Sequence, residues 1–568
     1  VGRTLFVLAL IAAGCSRAAP RRPNVLIVTI DTLRPDAIGE GTPAIRGFLA
    51  EATRFRATRT VAPLTLPSHT SMFTGLFPKS DGIHDNVTEP IPPRGNRPFP
   101  FLAEQFKDKG YATAAFVSRA VLAPATGVGA GFDLYDCPGS DLDWMDEGGY
   151  IPGDERVRAA AAWIEGASRK GSPWFAWVHL FDPHAPYHAF EGDARRAPTR
   201  DSDPVAVRYA GEVRRTDAAF EKLLQEVPRD TIIFLVSDHG EGLFEHGEPT
   251  HGPFCYSTTL DVLLAVRAPG FRPGAEDKGL RSVADVAPTI RRLCGLPAVE
   301  GEGRDLGGPP HETLVSESLM AWGLHGWGQC FAATDGRYTL VEAGESLDLF
   351  DRAKDPKETV PLPLSDPAYE RLDRALEAFR ASKWGGPGGG EGEMLASVAP
   401  YGELRRPETG YLSRHQNAQL PNPRRYLKTW SALQDVRRLF QICTARHDPM
   451  PLEGALKTLD DLARDCDSPQ IDHYRACLEG AIADLKGEKA RYRDAALAEL
   501  AAIGKGYEQR DAIAPAIHYC VAASDPDALR ALVQLLRRSG KRLDAETQHA
   551  LDAAEQELES AGTAYSVR

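Results

Sequence analysis

Four stretches of the chain end an apolar run in residues able to hold a metal ion or an anion. In the first, Val25 to Ile30 leads directly into Asp31 and Thr32. A carboxylate that follows a buried strand either caps the next helix or binds a ligand, and this stretch alone leaves both open. The second reads APLTLPSHTSMFTG from Ala62 to Gly75. Pro67 and Ser68 signal a helix start there, which sets the Thr65 hydroxyl near a helix N-terminus, where oriented amides favour an anion or a developing alkoxide. The alternative is that Thr65 merely caps the helix. The third stretch, Trp174 to Tyr187, carries His179 and then, beside prolines, His184. The fourth runs from Ile232 to Gly242 and contains Ser237-Asp238-His239-Gly240-Glu241, with His246 and His251 soon after. Adjacent Asp and His at a strand end, with glycine allowing close backbone approach, make a metal-ligand arrangement.

The elements that must present these residues are those of an α/β fold. Short runs rich in branched residues, Val25 to Ile30, Ala114 to Val117, Trp174 to Leu180, Ile232 to Val236 and Val262 to Val266, alternate with helix-length amphipathic stretches. That pattern predicts buried strands of one sheet, and ligands of such sheets bind beyond the carboxyl ends of the strands. The Gly-dense stretch 383–393, KWGGPGGGEGE, can hold neither helix nor strand and reads as a linker. A connecting segment, 394–446, leads into a region of helical pattern at 447–568. There Asp525 reads as an N-cap, Pro526 as the first helical residue, and Leu529, Leu532, Val533 and Leu536 as one apolar stripe ended by Gly540. Similar stripes recur about every forty residues, in the range of helical-hairpin repeats, and a plain helical bundle fits them equally well.

A chain of 568 residues exceeds what one core normally organises. Its 42% apolar and 26% charged residues are those of globular protein. The net charge of −13, with no long basic run, argues against nucleic acid as a partner. Residues 1–15 read as an export signal, with Arg3 as the charged start, an apolar stretch from Thr4 to Ala13 and a small-residue junction at Gly14-Cys15. Ala12-Ala13-Gly14-Cys15 resembles a bacterial lipobox, which implies an acylated Cys15, a short tether over 16–22, and a protein held by its lipid on the periplasmic or extracellular side of a bacterial membrane. The remaining cysteines, none in a C-x-x-C pair, are compatible with disulfides in an oxidising compartment.

Taken together, the four stretches resemble the N-terminal catalytic domain of sulfatases, within the alkaline phosphatase superfamily. The likeness extends over 23–382 and includes Val283 to Thr289 and the Leu349-Phe350-Asp351 to Asp355-Pro356 block. It implies a mixed sheet sandwiched by helices, followed here by the α-helical C-terminal region. The family's C-x-P-S-R-x-x-x-[LM]-T-G signature falls on Thr65 to Gly75, keeping Pro67, Ser68, Thr74 and Gly75. Thr65 stands where the family has the Cys or Ser oxidised to formylglycine, and threonine can yield only a ketone. His69 replaces the signature arginine, and Arg119 and Val121 stand where a Lys-His pair is usual.

What remains is similar to the superfamily's phosphotransferases that use a threonine nucleophile. By that likeness Asp31, Thr65, Asp238 and His239 bind one divalent ion, which is zinc, manganese or calcium. His184 and His251 act with Thr65 as catalytic groups, holding the anion or moving protons, while His69, Arg119 and His179 contact the substrate. The implied activity is hydrolysis of phosphate or sulfate esters, the substrate being an anionic ester. A phosphoethanolamine-type headgroup transferase and a non-catalytic anion- or glycan-binding module, with the helical region recruiting a protein partner, are the alternatives.

Overall fold

The computed structural model describes residues 22–86, 91–137, 150–188, 204–382, 411–436 without 421 and 434, 450–504 without 467, 510–539 without 524, and a few positions between 548 and 556. The export segment, the Gly-dense stretch 383–393 and most of the connecting segment therefore lie outside the described residues.

An eight-stranded sheet organises the N-terminal part, in the order β4-β3-β5-β1-β6-β7-β2-β8. Its strands are β1 (Val25–Ile30), β2 (Thr53–Arg59), β3 (Ala112–Val117), β4 (Leu134–Asp136), β5 (Trp174–Leu180), β6 (Ile232–Ser237), β7 (Leu264–Arg267) and β8 (Glu276–Ser282). All pairings are parallel except those of β7, which runs antiparallel to both β6 and β2. The central strands are buried on both faces. Val25 and Ile27 of β1 pack into one apolar cluster with Phe175 and Trp177 of β5, whereas Leu26, Val28 and Ile30 point the other way, onto Trp174, Ala176 and Val178. Two-sided burial is why these strands are continuous apolar runs rather than alternating ones.

Register converts this sheet into a platform. Ile30 pairs with Leu180 on one side and with Ser237 on the other, so β1, β5 and β6 end at one level. The next residues, Asp31, Phe181 and Asp238, emerge side by side from that edge.

A second sheet was not foreseen from the sequence. It is antiparallel, four-stranded and ordered β12-β11-β10-β9, from β9 (Leu314–Ser318), β10 (Cys330–Thr334), β11 (Tyr338–Ala343) and β12 (Ser346–Asp351). The helix Pro367–Ala381 packs Leu372, Leu376 and Phe379 against the same apolar cluster as Phe331 and Leu340 of this sheet.

Beyond it, the helices Met450–Asp465, Pro469–Lys486, Arg491–Gly504, Arg510–Ala522 and Pro526–Ser539 follow one another, each packing on its neighbour. Asp525 caps the last of these as expected, its Oδ1 accepting from the amides of Asp527 and Ala528 at 3.1 Å each. Leu529, Leu532 and Val533 are buried along one stripe, and Gly540 lies outside the described residues. No helix among the described residues is long and apolar enough to cross a membrane. Among the described residues, Cys137, Cys255, Cys294, Cys330, Cys477 and Cys520 are free thiols.

Candidate active site

Asp31, Asp238 and His239 are fully buried at the carboxyl edge of β1 and β6, with one potential ligand atom of each lying within 4.8 Å of the others. Thr65 opens the helix Thr65–Thr74, with Leu64 at the cap position. Its hydroxyl lies 3.5 Å from Asp31 Oδ2 and 3.4 Å from His239 Nε2. The helix thus starts two residues earlier than Pro67 and Ser68 had indicated, and Thr65 stands at its N-terminus.

The hydrogen bonds fix which face of each imidazole is a donor. His239 Nδ1–H donates to the Gly240 carbonyl at 3.0 Å, so the Nε2 lone pair is left pointing at Asp31, Asp238 and Thr65. His179 accepts from the Ser118 amide at Nδ1 and donates from Nε2 to Asp31 Oδ2 at 3.2 Å. His69 donates from Nδ1 to the Thr65 carbonyl at 2.8 Å and accepts the Thr29 hydroxyl at Nε2 at 3.1 Å. Thr29 Oγ1 in turn accepts the Trp177 indole N–H at 2.9 Å. A directional relay, Trp177 to Thr29 to His69 to Thr65, therefore holds the first turn of the helix from behind.

Two oxygens of this cluster, Asp31 Oδ1 and Asp238 Oδ2, are buried and accept no hydrogen bond from any of the described residues. Buried carboxylate oxygens are costly without a partner. Burial pushes Asp31 up to about 7 and raises Asp238 above the usual carboxylate range, the Asp31 charge adding to it. Orphaned carboxylate oxygens, a lone pair from a correctly oriented imidazole and an adjacent hydroxyl are the donor set of a divalent cation such as zinc or manganese. The residues present fit such an ion.

Above the cluster, His251 lies with its ring centroid 4.3 Å from that of His239 and 5.0 Å from that of His184. Burial lowers His251 to about 4 and drives His184 well below the ordinary imidazole value, so both rings are neutral near pH 7. His251 Nδ1 faces Glu241 Oε1 at 3.1 Å. His184 stacks on Phe181, centroids 4.2 Å apart, and the Arg119 guanidinium sits 5.5 Å over that same ring.

Sequence reasoning thus named residues that the fold brings together: Asp31, Thr65, Asp238 and His239 in one cluster, with His184, His251 and Arg119 beside it. His69 and His179 are placed differently from the substrate contacts expected of them. Both are buried beneath the cluster with both ring nitrogens engaged by the protein, and burial lowers each to about 4. Glu241 was missed as a functional group. It is fully buried, pushed up to about 7 by that burial, and linked to both His251 and Tyr187. Its place three residues after Asp238, in a glycine-flanked loop, was the signal that could have found it. The flanking stretches 138–149 and 189–203 lie outside the described residues.

Residues 23–296 match the sulfatase family model. An endo-4-O-sulfatase of Bacteroides thetaiotaomicron is 24% identical over 385 residues, 52% of this chain and 74% of that protein. Ectonucleotide pyrophosphatase/phosphodiesterase family member 1 of Homo sapiens is 25% identical over 236 residues, 38% of this chain and 23% of its own length. A solved Bacteroides thetaiotaomicron protein of glycosaminoglycan metabolism shares the fold with a TM-score of 0.54 at 20% identity, over 67% of this chain and 100% of the other.

Proposed function

Since residues 23–296 form a sulfatase-family domain, we propose that the chain is a metal-dependent hydrolase of anionic esters in which Thr65 is the nucleophile, acting on phosphate in preference to sulfate esters. The observation that carries this reading is the Thr65 hydroxyl at the helix N-terminus, 3.5 Å from Asp31 and 3.4 Å from His239. The relatives include both an endo-4-O-sulfatase and a pyrophosphatase/phosphodiesterase, so the likeness to known proteins is compatible with either central atom.

Asp31, Asp238 and His239 would hold one divalent ion. Bound there, it supplies Lewis acidity that offsets the buried carboxylates, draws electron density from an ester oxyanion and favours ionisation of a nearby hydroxyl. The remaining work belongs to the protein. The Thr65–Thr74 helix places the positive end of its dipole beside Thr65, although its Leu66 amide is held by Asn86 Oδ1 at 2.9 Å and its Ser68 amide by the Leu64 carbonyl at 3.2 Å. The Trp177-Thr29-His69 relay holds the Thr65 backbone, and with it the attacking oxygen. In-line attack of Thr65 Oγ on phosphorus breaks the bond to the leaving alcohol and forms a threonyl phosphate ester. His251, backed by Glu241, and His184 take the Thr65 hydroxyl proton and pass it to the leaving oxygen, then take a proton from the water that displaces phosphate and return it to Thr65, proton transfers of a kind worth about 10²–10⁴ in rate.

Preference for phosphate follows from how the covalent ester leaves. A formylglycine hydrate sheds sulfate by collapse of its second hydroxyl, and threonine has none. Thr65→Ala should leave a folded protein with no ester turnover. Retained turnover in that variant would mean the nucleophile lies elsewhere. We further place the protein outside the cytoplasm, anchored through an acylated Cys15, on the strength of the apolar export segment alone.

A further inference from the structure

A second set of chemistry-bearing residues lies in the helical region, away from the site above and independent of it. His473 and Cys477 stand one turn apart on the helix Pro469–Lys486, and Glu499 faces them from the helix Arg491–Gly504. His473 Nδ1–H donates to Glu499 Oε1 at 2.7 Å, which turns Nε2 toward Cys477 Sγ at 3.6 Å. Glu499 and His473 are buried and Cys477 is half-buried, so the acid and the base are sequestered while the cysteine keeps part of its surface exposed. Burial works against a charged ring here, yet Cys477 and Glu499 together hold His473 well above the ordinary imidazole value.

Asp472 lies near Glu499 on the first helix, and Tyr519, from the helix Arg510–Ala522, is influenced by Cys477, Glu499, Asp484 and Tyr492. Gly480, one turn beyond Cys477, lets the Tyr519 ring approach closely, since a Cβ there would sit 2.5 Å from the ring.

A nucleophile, a base within reach of it and a carboxylate that orients the base are the parts of an activated thiol. We propose that Cys477, His473 and Glu499 form a nucleophilic thiol site that takes small soft electrophiles, a low-molecular-weight disulfide being the natural class. In that reaction the Cys477 sulfur attacks one sulfur of the disulfide and the S–S bond breaks. The thiol proton passes to His473 Nε2 and from there to the departing thiolate. Cys477 ends oxidised as a mixed disulfide, and the other half of the reagent ends reduced as a free thiol.

The intact chain, reduced and then freed of reductant, supplies the test at neutral pH with limiting iodoacetamide and, separately, oxidised glutathione, each followed by peptide mapping. Cys137 and Cys294 are the internal controls, because they are also half-buried and burial pushes both thiols up to about 12. Cys477 should react at least about tenfold faster than either and should accept one glutathione per chain. His473→Gln and Glu499→Gln should each slow it severalfold or more. If a variant unfolds the helical region, the comparison within the wild-type chain still decides. Reaction of Cys477 no faster than Cys137 and Cys294, or a folded His473→Gln variant with an unchanged rate, overturns the site.

Discussion

The relay Trp177 to Thr29 to His69 to Thr65 places a residue outside the candidate metal cluster in control of the Thr65 backbone. Thr29 is fully buried and serves as acceptor for one partner and donor for the other. Thr29→Val keeps the shape and strands both the Trp177 N–H and His69 Nε2 without a partner, at about 1–3 kcal/mol for each buried group. Thermal unfolding should show that loss, with turnover reduced beyond what partial unfolding explains. Unchanged stability and rate would mean that the relay positions nothing. The metal cluster calls for the opposite expectation. Without an ion, Asp31 and Asp238 are two buried carboxylates in mutual repulsion, and relief of that repulsion offsets part of the cost of stranding the Thr32 and His239 amides that Asp238 Oδ1 accepts from. Asp238→Ala should stay folded, bind almost none of the roughly one equivalent of divalent ion held by the wild type, and lose the rise in Tm that added metal gives the wild type. Undiminished metal content in Asp238→Ala would reject this ligand set.

Among the elements, β1, β5 and β6 were legible because burial on both faces wrote them as unbroken apolar runs. Their common level at the carboxyl edge made Asp31 and Asp238 neighbours in space, which is why residues more than 200 positions apart were readable as one site. Others carried no such signature. β2 (TRFRATR) alternates apolar with charged residues, and the edge strand β8 (EDKGLRS) is mostly polar where it meets solvent, as edge strands commonly are. The reversed direction of β7 and the pairing of β9 to β12 are set by tertiary contacts that no local pattern encodes. The same limit applies to His69 and His179. Their motifs were visible, but their burial beneath the cluster depends on partners from separate strands, Thr29 and Ser118, which spacing along the chain does not reveal.

At the scale of the whole molecule, residues on either side of 383–410 are fastened together. Tyr411 donates to Glu317, Arg414 pairs with Glu342 at 3.2 Å, and Asn417 Oδ1 accepts the Gln329 amide at 2.7 Å. Trp327 and Ala321 share one apolar cluster with Trp430, Leu452, Ile471 and Leu478. The Gly-dense stretch still reads as the site most open to a protease, but cutting there should yield two fragments that elute together under native conditions. Fragments that separate freely would mean that these contacts do not bind the helical region to the N-terminal sheet domain. Cys15→Ser tests the proposed anchor: the wild type should fractionate with membranes and the variant should not, and a wild type recovered free of lipid would remove the anchor.

The central claim, that Thr65 makes this a phosphate- rather than a sulfate-ester hydrolase, comes down to one comparison: multiple-turnover hydrolysis of matched aryl phosphate and aryl sulfate esters by metal-loaded wild type and Thr65→Ala. A phosphate mono- or diester should turn over repeatedly and the matched sulfate at most about once per chain, since a threonyl sulfate can leave only by attack at sulfur, and Thr65→Ala should be inactive on both. Sustained sulfate hydrolysis by the unmodified chain, or phosphate turnover that survives Thr65→Ala, would contradict it.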